Sequence, residues 1–290
     1  MTRSALNSCV AVAACVYTLA MPATSLAQWP KFEPRGLPRK ADGTVNLDAP
    51  TPRTAEGKPD LSGVWDILPP ARNTRPVAAE GTGEAPPPGS GSIFFNAGAQ
   101  TPGGAPYQPW AAELVKKRLA DGSKDNPDAH CLPMGIMQMT SHPYPRKIIQ
   151  TKDVVVIIYE GSGTTVREVF MDGRSLPKDP EPWWNGYSVG RWEGDTLVIE
   201  TAGLMDDGWL DVQGSPLTSA GKLTERIRRP KFGALEIAVT IDDPKAYTKP
   251  FTATVNYRLA PDTQLIEFVC IDKSAQHYVG ADGVADKAKK

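Results

Sequence analysis

The chain has 290 residues, of which 28 are proline and 26 glycine, close to one position in five, and this excludes a fold made of long helices. An apolar fraction of 40% with 8% aromatics is enough to bury a core, which excludes disorder throughout. Basic and acidic residues nearly cancel, 32 against 33, so no global field draws in nucleic acid or an anionic membrane.

The N-terminus carries one arginine, an apolar stretch from Ala5 to Met21 and a small-x-small end at Ser25-Leu26-Ala27. Together these predict a secretory signal peptide over residues 1–27. Val12-Ala13-Ala14-Cys15 is an alternative lipobox, although the apolar run continues past Cys15. The expected location is periplasmic or secreted, and no later window approaches the roughly 20 apolar residues of a membrane-spanning helix.

Residues 28–60 are proline-rich and aperiodic, and read as an extended arm on the surface. The first strand is Leu61 to Leu68. An irregular Pro/Gly-rich loop follows over 69–109, long enough to be a linker or a functional loop such as a lid. Pro109 then opens a helix from Trp110 to Ala120, with Ala111, Leu114, Val115 and Leu119 on one stripe, Lys116, Lys117 and Arg118 outside it, and Gly122 as its stop.

After the helix the chain is a run of strand and turn signals. Strands are expected at Lys147 to Gln150, Val154 to Glu160, Thr164 to Met171, Ser188 to Trp192, Thr196 to Thr201, Lys222 to Arg228, Ala234 to Ile241, Phe251 to Leu259 and Leu265 to Ile271. Many short strands joined by short turns predict an all-β fold, an antiparallel meander closing into a barrel over residues 61–273 as a single domain. Residues 274–290 lack any pattern and read as a frayed tail.

Removal of residues 1–27 leaves two of the four cysteines, Cys131 and Cys270. In an exported chain they are most simply a disulfide, with two buried free thiols as the alternative. Neither has a C-x-x-C partner, so no zinc site is expected.

Two Gly-x-Trp elements stand out, Gly63-Val64-Trp65 on the first strand and Gly190-Arg191-Trp192 in the middle. The first resembles the lipocalin (calycin) pattern, which implies a barrel whose closed end is plugged by the tryptophan. A longer set of blocks, among them Gly190-Arg-Trp-Glu-Gly-Asp-Thr-Leu-Val-Ile-Glu-Thr201 and Asp243-Pro-Lys-Ala-Tyr-Thr-Lys-Pro250, resembles a group of secreted, β-rich bacterial proteins without an assigned function. That resemblance implies export and a β-rich fold, and carries no activity with it.

Candidate chemistry is sparse. Gly186-Tyr187-Ser188-Val189-Gly190 matches the G-x-S-x-G nucleophile elbow, and His277 follows it. The elbow needs a strand before its serine and a helix after, whereas strand and turn signals follow here. His130, His142 and His277 are the only imidazoles and have no helical or strand pairing with one another. Trp183, Trp184, Trp192 and Trp209, with Tyr187 among them, are the candidates to line a cavity that stacks on an aromatic ring or a sugar.

On the expected strands, Glu225 shares a face with Leu223 and Ile227, and Glu168 a face with Val166 and Phe170. A carboxylate on an apolar face must be paired or functional, and Arg167, Arg226 and Arg228 are the available partners. The leading expectation is an exported barrel that binds a small, partly apolar aromatic or sugar-like ligand through Trp183, Trp184, Tyr187, Trp192 and Arg167. The alternatives are a periplasmic lyase, isomerase or hydrolase using Glu225, Glu168, His130 or His142, and an envelope-associated structural protein with no small-molecule site. No cofactor, metal or nucleic-acid partner is expected.

Overall fold

Alternation of apolar and polar residues after the helix produces the strands of a closed barrel. A computed structural model describes residues 36–68, 96, 98, 100–161 and 165–270. The expected signal peptide, residues 28–35 of the arm, residues 69–95 of the irregular loop, Ile271, the tail and His277 lie outside the described residues.

The elements run β1 (Gly63–Ile67), α1 (Pro109–Ala120), a 3-10 turn (Pro127–His130), α2 (Ile136–Ser141), β2 (Arg146–Gln150), β3 (Val154–Tyr159), β4 (Val166–Phe170), β5 (Tyr187–Glu193), β6 (Thr196–Ala202), β7 (Gly208–Trp209), β8 (Pro216–Leu217), β9 (Lys222–Lys231), β10 (Ala234–Asp242) and β11 (Phe251–Leu259). Strands β1-β11-β10-β9-β6-β5-β4-β3-β2 close into one ring, and β7 and β8 form a separate two-stranded ribbon.

Every neighbouring pair is antiparallel except β4 and β5, which run parallel and share only Val169↔Ser188 and Phe170↔Val189. The purely antiparallel meander is corrected at this seam, and the reason is arithmetic. A closed ring with an odd number of strands cannot alternate direction throughout, so at least one pair must be parallel. Parallel neighbours need a crossover, here the chain from Met171 to Gly186, which runs from one end of the barrel to the other.

Leu265 to Ile271 does not form the expected last strand, because residues 263–270 carry no ladder. The physical cause is closure. β11 already pairs with β1 through Trp65↔Leu259 and Ile67↔Tyr257, and β1 pairs with β2, so no edge remains to receive another strand. α1 forms where the sequence puts it, with Ala111 and Val115 buried. Arg118, expected outside the stripe, instead turns inward, with its guanidinium 4.3 Å from the centroid of the Trp209 ring.

The short α2 carries no helical stripe in the sequence because all six of its residues are buried. Gly135 opens it at φ 79°, and it stops at His142, which is extended because Pro143 follows. At the lower end of the barrel Trp65 is fully buried and donates Nε1–H to the Leu61 carbonyl at 3.0 Å. The Arg229 guanidinium lies 4.9 Å from the Trp65 ring centroid. Gly63 has φ +142°, and a Cβ there would meet Leu259 at 2.7 Å, which explains the glycine of this first Gly-x-Trp.

Candidate functional site

The interior of the barrel is occupied by side chains. Inward residues of β1, β3, β6, β9, β10 and β11, including Trp65, Ile157, Ile199, Ile227, Ile237 and Tyr257, form one continuous core with Met137 of α2. Within it, among the described residues, sits an ion pair. Arg167 on β4 and Glu225 on β9 meet with side-chain exposures of 2% and 1%. Ser188 and Thr201, on the strands between them, complete the cluster. Arg167 donates from Nε to Ser188 Oγ at 3.1 Å and from Nη2 to Thr201 Oγ1 at 2.9 Å, and the two hydroxyls lie 2.9 Å apart.

Burial pulls the Arg167 guanidinium down, but Glu225 more than offsets it, and Tyr159 adds to that, so Arg167 is held above its ordinary range. Glu225 is therefore buried on the face the sequence indicates, and its partner is Arg167. Glu168 is corrected: the β4 residues facing inward are Arg167 and Val169, so Glu168 is exposed on the outer surface. Ser188 of the G-x-S-x-G pentapeptide lies in the middle of the cluster on β5, which continues as strand beyond it, and no elbow forms.

A second buried cation closes the upper end. Arg146, 2% exposed, donates from Nη2 to the carbonyls of Met139 at 2.9 Å and Thr140 at 2.8 Å, meeting the last turn of α2. Its guanidinium lies 4.3 Å from the Tyr257 ring centroid and 5.0 Å from that of Tyr159. The Tyr257 hydroxyl also donates to the Thr140 carbonyl. His142 is buried next to this group and stacks on Tyr144 with ring centroids 4.7 Å apart. Burial, with Arg146 adding to it, depresses its pKa to about 4, so His142 is neutral near pH 7.

A strap covers this end. The Ile266 amide donates to Glu160 Oε2 at 3.0 Å, and Phe268 meets Tyr144 with ring centroids 5.3 Å apart. The disulfide joins Cys131 to Cys270, with a Cα–Cα distance of 5.6 Å. His130 is exposed on the 3-10 turn, with Nε2 2.9 Å from the Lys124 carbonyl. Among the described residues no group of three or more His, Cys, Asp or Glu side chains is placed to hold a metal ion.

The aromatic residues expected to share a cavity go to separate places. Trp209 is buried on β7 beneath Arg118, and Trp192 is half-buried against the core at the lower end. Tyr187 lies outside the barrel, 5.2 Å from Phe170 by ring centroids, and accepts a hydrogen bond from Arg174 Nη1 at 3.0 Å. Trp184 is half-buried in the crossover, and Trp183 beside it is 56% exposed.

The crossover frames a cleft of about 650 Å³ at the upper end. Leu176, Pro177, Pro180, Pro182 and Leu204 give it apolar walls, and Lys178, Asp179 and Lys222 supply its charges. Its geometry is fixed by main-chain bonds. The Trp183 amide donates to the Gly203 carbonyl at 2.9 Å, and the Met205 amide to the Trp183 carbonyl at 3.2 Å. Gly203 has φ +72°, and a Cβ there would meet Pro180 at 2.7 Å, so glycine permits the close approach of the two walls. Of the clustered tryptophans, Trp183 stands beside this cleft, following Pro180-Glu-Pro182 in the chain. No protein-family model, curated protein or solved structure matches the chain.

Proposed function

We propose that this is an exported β-barrel protein that binds a small, partly apolar organic molecule, aromatic or sugar-like, in the cleft between the crossover and the β6–β9 connection. The observation that carries the reading is the cleft itself: proline and leucine walls, three charged side chains, and Trp183 standing exposed next to Pro182. The cleft is concave and its lining is more polar than apolar, which suits a molecule that carries hydrogen-bonding groups beside an apolar face. An exposed indole beside it offers a flat face for a ring.

The reading places the ligand outside the barrel, because Ile157, Ile199, Ile227, Ile237 and Tyr257 are buried in one core on the inner faces of the strands. The acid–base alternative loses its best-placed carboxylate, because Glu225 is paired with Arg167. Glu168 faces outward, and His130 and His142 stand apart, one exposed and one neutral and buried.

The test is a titration of intrinsic tryptophan fluorescence with a panel of phenols, aromatic acids and monosaccharides. A saturable change is expected that disappears in Trp183→Ala and survives in Trp110→Ala, whose indole is also exposed but packs by the Lys245 carbonyl. A panel without a binder, or a signal indifferent to Trp183, would overturn the reading.

A further inference from the structure

Two copies of one hairpin precede β1. Pro38-Arg39-Lys40-Ala41-Asp42-Gly43-Thr44-Val45-Asn46-Leu47 aligns without a gap on Pro52-Arg53-Thr54-Ala55-Glu56-Gly57-Lys58-Pro59-Asp60-Leu61. The hydrogen bonds repeat with it. The Lys40 amide donates to the Thr44 carbonyl and the Thr54 amide to the Lys58 carbonyl, both at 2.8 Å. The Asn46 amide donates to the Pro38 carbonyl at 2.8 Å and the Asp60 amide to the Pro52 carbonyl at 2.9 Å. Gly43 and Gly57 take φ +83° and +74° at the same place in each turn.

The arginines repeat as well. Arg39 Nη1 donates to the Gly43 carbonyl at 2.7 Å, and Arg53 Nη1 to the Gly57 carbonyl at 2.8 Å. Each guanidinium is thus tied to its own turn. In the second copy that tie presents a fork to the β5–β6 turn: Nη1 donates to Asp195 Oδ1 at 2.9 Å and Nη2 to Oδ2 at 2.7 Å. In the first copy the fork meets no carboxylate among the described residues. The acids nearest in sequence are engaged elsewhere, Asp42 with Thr44 and Asp48 with Lys231.

We propose that the Arg39 hairpin is a docking site for an aspartate or glutamate carried on a tight turn of a partner polypeptide, bound as Arg53 binds Asp195. The second copy is the template for the contact, and the tie to Gly43 supplies the pre-organisation, since little side-chain freedom remains to be lost. Lys40 stands where the second copy has Thr54, adding positive charge at the same face. A lone exposed ion pair contributes little by itself, so an isolated turn is expected to bind more weakly than millimolar. A complete partner would add contacts around this anchor.

The experiment uses the full chain, labelled with ¹⁵N, and a cyclised peptide carrying its own β5–β6 turn, Trp192 to Leu197. Concentration-dependent amide shifts are expected over residues 39–45, weakened by up to about fivefold in Arg39→Ala and with the Asp195→Asn peptide. Arg39→Lys keeps the charge and loses the fork, and should lose most of the response; it also guards against a misfolded alanine variant. Absence of shifts, shifts that persist in Arg39→Ala, or equal shifts with free acetate at the same concentration would overturn the proposal.

Discussion

The two ends of the barrel are closed by different means. The lower end is finished by short turns, by the hairpins of residues 38–62 and by one tryptophan under one arginine, Trp65 and Arg229. The Arg229 guanidinium holds the Phe232 carbonyl at 3.0 Å from Nε while it covers Trp65, and burial lowers its pKa to about 10. The upper end is finished by segments distant in sequence: α2, the β7–β8 ribbon, the crossover and a disulfide-bonded strap. An end closed by local turns has little room to vary. An end assembled from long connections leaves clefts between them, and the proposed site lies there.

This contrast can be broken in several ways, beginning with the largest effect. Trp65→Ala should cost about 3–5 kcal/mol in chemical denaturation, since it leaves a large void under Arg229. A loss below about 1 kcal/mol would mean that the lower end is not held by this plug.

Between the ends, Glu225→Ala should cost a similar 3–5 kcal/mol, because it strands the buried charge of Arg167. The double replacement by methionines, which removes both charges, should recover most of that loss. If the double variant is as unstable as the single one, the pair is not the isolated interior ion pair described above.

At the upper end, reduction of the Cys131–Cys270 bridge should remove about 2–5 kcal/mol by the loop-closure account. Hydrogen exchange at the Ile266 amide should accelerate more than at the strands. Equal acceleration everywhere would show that the strap is not a separate closing element.

The same end should respond to acid through His142. Its folded pKa of about 4 lies below its ordinary 6.5, so the folded state holds fewer protons than the unfolded chain between these values. The stability it contributes is complete above about pH 6.5 and falls as the pH drops toward 4. His142→Gln should flatten that limb of the profile, and an unchanged profile would assign the acid sensitivity to other groups. Smallest of all, Arg53→Ala at the lower end should cost about 1 kcal/mol or less, with its effect reduced by salt.

Much of the strand framework was legible from alternation, because outward polar and inward apolar residues mark a sheet with one wet face. The readings that failed have physical causes. In Val166-Arg-Glu-Val-Phe170 the core position belongs to an arginine, so hydrophobic parity pointed to the wrong face and to Glu168. Leu265 to Ile271 has strand composition, but ring closure leaves it no partner. The short α2 is buried on all sides and shows no stripe. The paired hairpins are present in the sequence as Pro-Arg-x-Ala-acid-Gly, yet their kinship shows only once the repeated bonds are seen. The cleft was not legible, since it lies between two connections that no local pattern brings together.

The most direct test of the account is ¹H–¹⁵N shift mapping of the full chain with any binder from the panel of phenols, aromatic acids and monosaccharides. Binding in the cleft predicts shifts along residues 176–183, 202–204 and 219–222, with the amides of Arg167, Ser188, Thr201 and Glu225 unmoved. Shifts centred on those four interior residues would contradict it, placing the ligand inside the barrel.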